Sequence, residues 1–240
     1  MKKLIKTIIA VVISLAVFSG IFVWYVSDHY RADYTALADY HIDEKITVTT
    51  IDGSTVYAPE NSDSLFIFYP GGKVEHSAYE PLMETCAAKG ITCALVEMPF
   101  NLAVFDINAA DTIKEMFPEI NNYYIGGHSL GGSMAAAYLA NHTEDFDGLI
   151  LLGSYSTENF SNGEIEVLSV YGSEDKVLNK EKYEENKSNL PLNFEEKIID
   201  GGCHAYFGMY GTQNGDGIPT ISNEEQISIT ADAIAKFINK

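Results

Sequence analysis

Four glycines surround one serine and one histidine in Gly126-Gly127-His128-Ser129-Leu130-Gly131-Gly132. The centre fits the form G-x-S-x-G, with Gly127 and Gly131 flanking Ser129. The spacing has a steric reason. A serine on a sharp strand-to-helix turn leaves no room for side chains two positions to either side. Such a turn exposes the hydroxyl above the strand ends. It also aims the N–H of Leu130 and the positive helix terminus at any negative charge forming there. The plain alternative is a β-to-α turn in which Ser129 only caps the helix.

A serine hydroxyl is a weak nucleophile, so acyl transfer also needs a base and an acid to orient that base. The chain has six histidines. His29 and His41 lie in a polar N-terminal stretch, and His142 lies near a helix end. His128 is inside the turn, and His76 is a weaker contender near a glycine loop. His204, in "IIDGGCHAYFG" just past the last expected strand, is best placed to reach back to Ser129. For the acid, "VLSVYGSEDKV" ends a strand with Glu174 and Asp175, and Asp200 is a further rival. Asp200 shares its loop with His204, whereas Asp175 belongs to a neighbouring strand end, so Asp175 is preferred. Cys203 adjoins His204, but adjacent residues on an extended loop point apart, and it is read as a packing residue.

These residues need a scaffold that gathers strand ends. Two β-rich runs, residues 45–51 and 54–60, are joined by Asp52-Gly53, a hairpin signal. Continuous apolar strands then alternate with helices: strands at 64–70, 91–99, 122–127, 148–154, 165–173 and 192–199, and helices at 77–89, 107–117, 129–141, 179–189 and 223–239. That alternation marks a mostly parallel sheet covered on both faces, opened here by an antiparallel hairpin. Only about a dozen residues separate the strands ending at Gly153 and starting near Ile165, too few for a cap domain.

The ordered set "GGHSLGG", "YGSEDKV" and "DGGCHAYFG" resembles the α/β-hydrolase fold family over residues 45–240. The chain is most similar to small, capless bacterial hydrolases of esterase or dienelactone-hydrolase type, which also resemble it in "FYPGGKVEHSAYEPL" and "YGTQNGDG". The resemblance implies Ser129 as nucleophile, His204 as general base and Asp175 as the residue holding the imidazole. It also implies a second oxyanion donor, beside Leu130, in the loop Pro70-Gly71-Gly72-Lys73. Pro-Gly replaces the family's usual His-Gly there, which leaves the donor open between the N–H of Gly72 and that of Lys73.

The N-terminus is of another kind. Lys2, Lys3 and Lys6 precede twenty uncharged residues, Thr7 to Val26. Twenty helical residues span about 30 Å, the thickness of a bilayer's hydrocarbon core. Lysines ahead of the run place the N-terminus in the cytoplasm, and Trp24 and Tyr25 suit an interfacial belt. A cleaved signal peptide is the competing reading, but its apolar region is usually shorter, and the nearest Ala-x-Ala, Ala36 and Ala38, lies well beyond the run. The expected organisation is a basic segment (1–6), a transmembrane signal anchor (7–26), a spacer (27–44) and the catalytic domain (45–240), outside the cell membrane, or secreted if the anchor is cut.

Beyond the anchor, 12 basic residues face 34 acidic ones, a net charge of −22. Such a surface repels nucleic acid and anionic headgroups. Three cysteines are too few for a disulfide framework. No metal-ligand cluster is visible and the P-loop form is missing, so no metal, cofactor or phosphate site is expected. The expected substrate is a small carboxylic ester or other acyl compound in a shallow, open site. Its candidate walls are Tyr69, Tyr155, Tyr206 and Phe207; Lys73 is read as solvated rather than as a carboxylate reader. Amide or peptide cleavage and acyl transfer share the same triad. A non-catalytic surface binding protein is the alternative of another class.

Overall fold

Alternation along one strand explains how the core is built. In "SLFIFY", Phe66 and Phe68 turn to one face of the sheet, and Leu65, Ile67 and Tyr69 to the other; all are fully buried. A strand apolar on both sides needs helices on both sides. A computed structural model supplies them, describing residues 2–51 and 53–240. Asp52, half of the expected hairpin turn, lies outside the described residues.

The sheet has eight strands: β1 (Thr47–Ile51), β2 (Ser54–Ala58), β3 (Ser64–Tyr69), β4 (Thr92–Leu95), β5 (Asn122–His128), β6 (Gly148–Leu152), β7 (Glu166–Gly172) and β8 (Glu195–Ile199). Their order is β1-β2-β4-β3-β5-β6-β7-β8. The β1–β2 and β2–β4 pairs are antiparallel, and all others are parallel. The helices are α1 (Lys2–Ser27), α2 (Tyr34–Asp39), α3 (Glu80–Ala88), α4 (Ala109–Met116), α5 (Leu130–Leu139), α6 (Lys180–Asn186) and α7 (Asn223–Ile238). Leu82 and Met83 of α3 and Ile227, Ile234 and Phe237 of α7 cover the Phe66 face. Ile113 of α4 and Ala135, Ala136 and Leu139 of α5 cover the Leu65 face.

Strand order places the site. The chain crosses from β3 to β4 on one side, then back over β3 to β5 on the other. Connections leaving β3 and β5 therefore diverge, and a crevice opens at their carboxyl ends, where doubly wound sheets take ligands. The Gly71-Gly72 loop follows β3 and Ser129 follows β5. Between β6 and β7 the chain forms no helix and no cap.

Several bounds differ from the sequence reading. β4 ends at Leu95 instead of Pro99, because the apolar chain leaves the sheet there for a loop of two short 3₁₀ turns. β8 starts at Glu195 instead of Leu192; Phe194 N–H closes a turn on Pro191 O, and Leu192 is wholly exposed. The stretch expected as a spacer lies against the domain. Tyr30 bridges Val74, Ala32 is buried, and the Asp33 carboxylate caps α2 by accepting from Thr35 and Ala36 N–H.

Candidate active site

Ser129 stands at φ 52° and ψ −122°, in the left-handed half of the backbone map that non-glycine residues avoid. Such a conformation costs about 1–3 kcal/mol and persists only where its surroundings enforce it. Here they do. Ser129 N–H donates to Leu152 O at 2.9 Å, and its carbonyl accepts from Ser154 Oγ at 2.7 Å and Ser133 N–H at 3.2 Å. A Cβ on Gly127 or Gly131 would lie 2.3 or 2.1 Å from the Tyr69 carbonyl oxygen, so both positions exclude any side chain. This positive φ also explains why α5 begins at Leu130, one residue later than expected. As the first residue of α5, Leu130 keeps an N–H without an intrahelical acceptor.

Asp175 and His204 meet across two loops. His204 Nδ1 donates to Asp175 Oδ2 at 2.8 Å, and both side chains are buried. The other carboxylate oxygen accepts from Val177 and Leu178 N–H at 2.9 and 2.8 Å, which fixes the acid in its own turn. The rivals lie elsewhere: Asp200 is exposed in the turn after β8, and Glu174 is only partly buried. His204 Nε2 is buried with no hydrogen-bond partner among the described residues. Ser129, Leu130, Ser133, Gly153, Tyr155, Leu178 and His204 line one open cleft of about 280 Å³. An imidazole with its far nitrogen unpaired therefore shares a cleft with the half-buried serine of the elbow.

The loop after β3 separates the candidate donors. Gly71 N–H donates to Tyr79 Oη at 3.1 Å and Lys73 N–H to Asn101 O at 2.7 Å. Gly72 N–H has no partner among the described residues. Gly72 also abuts Leu130, since a Cβ there would come within 2.8 Å of Leu130 Cδ2. The Lys73 ammonium turns away from the cleft, 3.1 Å from Asp28 and over the ring of Tyr25 at 4.6 Å.

Of the four aromatic residues expected as walls, Tyr155 lines the cleft. Tyr69 does not: it is core, with its hydroxyl donating to Ile107 O. Phe207 is fully buried against His128, and Tyr206 packs on the α7 side of the sheet, its carbonyl accepting from Asn223. Residue type and loop position do not reveal which way a ring turns. Cys203 is buried, and burial pushes its thiol up to about 12, which suits packing and not nucleophilic attack. Cys86 and Cys93 are free and buried.

Supporting residues escaped the sequence reading. Gln226 on α7 is wholly buried and clamps the backbone of Cys203, accepting its N–H at 2.9 Å and donating to its carbonyl at 2.8 Å. Asp216 accepts from the N–H groups of Ala205, Gly217 and Lys176, tying the histidine loop to the acid loop. Burial opposes the charge on Asp216, yet these N–H groups prevail and hold its carboxyl below the ordinary range. Gly153, at φ 50°, brings bare backbone close to His204; a Cβ there would lie 3.0 Å from Nδ1. Tyr79 Oη accepts from Gly71 and meets His128 Nδ1 at 2.8 Å. Burial, with His204 alongside, keeps His128 neutral by pushing its pKa well down. The quoted motifs did contain three of them, Asp216 in "YGTQNGDG", Tyr79 in "FYPGGKVEHSAYEPL" and His128 in the elbow, whereas nothing in the sequence marked Gln226.

Residues 65–228 match the model of the alpha/beta hydrolase family. Comparison with curated proteins gives no match. Among solved structures, the crystal structure of ESTFA in its Fe-lacking apo form is similar at a TM-score of 0.56, with 15% sequence identity over 87% of this chain and 88% of that one. Similarity at that identity speaks for the fold alone.

Proposed function

The chain belongs to the alpha/beta hydrolase family, and we propose that it is a membrane-anchored, outward-facing serine hydrolase that cleaves carboxylic esters. The observation that carries this reading is the buried 2.8 Å Asp175–His204 pair, whose free Nε2 shares a cleft with the strained Ser129.

The geometry supports the following steps. Ser129 Oγ attacks the ester carbonyl carbon while His204 Nε2 takes its proton. The Asp175 carboxylate holds the imidazole in the tautomer with Nδ1 protonated and stabilises the imidazolium that forms. Negative charge on the carbonyl oxygen meets the N–H groups of Leu130 and Gly72. Lys73 is the weaker candidate donor because Asn101 already occupies its N–H. One such donor is worth about 3 kcal/mol in the transition state. Collapse breaks the C–O bond, and the imidazolium returns the proton to the departing alcohol. Water then attacks the acyl-enzyme by the same route and releases the acid. The open cleft, walled by Tyr155 and Leu178, suits small or exposed acyl groups.

Anchoring rests on α1. Its stretch Lys3–Ser27 is long and apolar enough to cross a bilayer, and its side chains lie outside the domain core. The lysines ahead of it favour a cytoplasmic N-terminus and an external domain.

The test is hydrolysis of a short-chain nitrophenyl ester by the full chain in detergent micelles, beside Ser129→Ala and His204→Ala. The reading requires turnover in the wild type and a loss of at least about a thousandfold in both variants, with unchanged circular dichroism. Equal turnover in wild type and Ser129→Ala would remove the serine mechanism.

A further inference from the structure

The loop "PFNLAVF", residues 99–105, carries no charge on a protein that is otherwise strongly acidic. Phe100 and Asn101 both take positive φ, 57° and 56°, a conformation uncommon for a bulky side chain. The result turns Phe100 outward. Phe100, Val104 and Phe105 are 53%, 44% and 51% exposed, forming an apolar rim.

That rim touches one place on α1. Phe22 packs edge-on against Phe100 and Phe105, at ring centroids 5.2 and 5.8 Å apart. Phe22 lies four residues before Val26, the last residue of the uncharged run, so it sits about 6 Å inside the span's end. Rings that meet Phe22 share its depth. The exposed remainder of Phe100 and Phe105 then faces acyl chains and not water.

The rim is continuous with the cleft. Asn101 O holds Lys73 N–H at 2.7 Å, and Leu102 and Leu130 side chains converge over Gly72. Membrane contact at this loop brings the mouth beside Ser129 to the lipid surface. Asp28 pairing with Lys73, and Tyr30 exchanging backbone hydrogen bonds with Lys73 and Glu75, fix the helix end to the same loop.

We infer that Phe100, Val104 and Phe105 form a second membrane contact, seating the domain with its catalytic face on the leaflet that α1 enters. The partner is the acyl region of that bilayer. This inference rests on α1 being a membrane anchor.

The experiment uses the full chain in phosphatidylcholine vesicles, with an environment-sensitive fluorophore on one introduced cysteine at a time: Phe18→Cys in α1, Val104→Cys on the rim, or Leu192→Cys, exposed at the opposite end of the sheet. The three native cysteines are buried and stay unlabelled. Lipids with a spin label on the acyl chain should quench the probes at positions 18 and 104 at least twofold, and leave that at 192 unchanged. In Phe100→Asp/Phe105→Asp, quenching at 104 should vanish while that at 18 persists. Quenching at 18 without quenching at 104 would overturn the second contact and leave the anchor standing. No quenching at 18 would overturn anchor and contact together. Quenching at 104 that survives the double substitution would also overturn the inference.

Discussion

Two halves of the site are encoded in opposite ways. The elbow around Ser129 is written in one short run: Gly127 and Gly131, two residues to either side, admit the Tyr69 carbonyl, although Leu152 and Ser154 from the next strand end supply its hydrogen bonds. The histidine loop is held from a distance. His204 depends on Asp175, 29 residues away, on Asp216 from the following loop, and on Gln226 from α7. A local device appears in the sequence as a motif. A long-range device leaves single residues, each ordinary by type.

Breaking each half should give different signatures. Asp175→Asn should have the largest effect, lowering kcat about a thousandfold or more, because an amide no longer enforces the Nδ1-protonated tautomer. Steady-state ester kinetics with a thermal melt would show it, since the exchange is nearly isosteric. Gln226→Leu should come next. It strands the buried N–H and C=O of Cys203, a destabilisation of about 2–4 kcal/mol, read from urea unfolding. Activity should fall with it, because His204 is the next residue. Tyr79→Phe removes the acceptor of Gly71 N–H and the partner of His128. About tenfold lower kcat with little change in KM is the expected result, since the loop before Gly72 loses its tie.

Ser129→Gly sharpens the contrast from the other side. Glycine tolerates φ 52°, so stability should rise by about 1 kcal/mol while ester turnover disappears. The smallest effect concerns Asp216. Its folded pKa lies below the unfolded value, so its contribution is fully present above the ordinary Asp range near pH 4 and is lost as pH falls through the folded value. Stability of Asp216→Asn, followed by denaturant melts from pH 6 to pH 2, should therefore decline less steeply below about pH 4 than that of the wild type.

Much of the fold was legible because buried parallel strands are apolar on both faces, and β3 in "SLFIFY" states this outright. The hairpin opening, the absence of a cap and the elbow followed from pattern in the same way. Boundaries were less legible. "VEMP" continues the hydrophobicity of β4, yet the chain leaves the sheet at Leu95 to build the strained loop, which only tertiary contacts reveal. Side-chain direction was invisible. Tyr69 and Phe207 are as aromatic as Tyr155, but the first sits on an inward strand position and the second packs under His128. Backbone partners were invisible too. Lys73 and Gly72 are equal in the sequence, and only the bond from Lys73 to Asn101 distinguishes them.

The most direct test of the central claim is covalent. Treating the folded full chain with a fluorophosphonate and locating the adduct by peptide mass spectrometry asks whether Ser129 is an activated nucleophile. The account predicts stoichiometric modification at Ser129 that His204→Ala abolishes. Modification at another residue, or none on a folded wild-type protein, would contradict it.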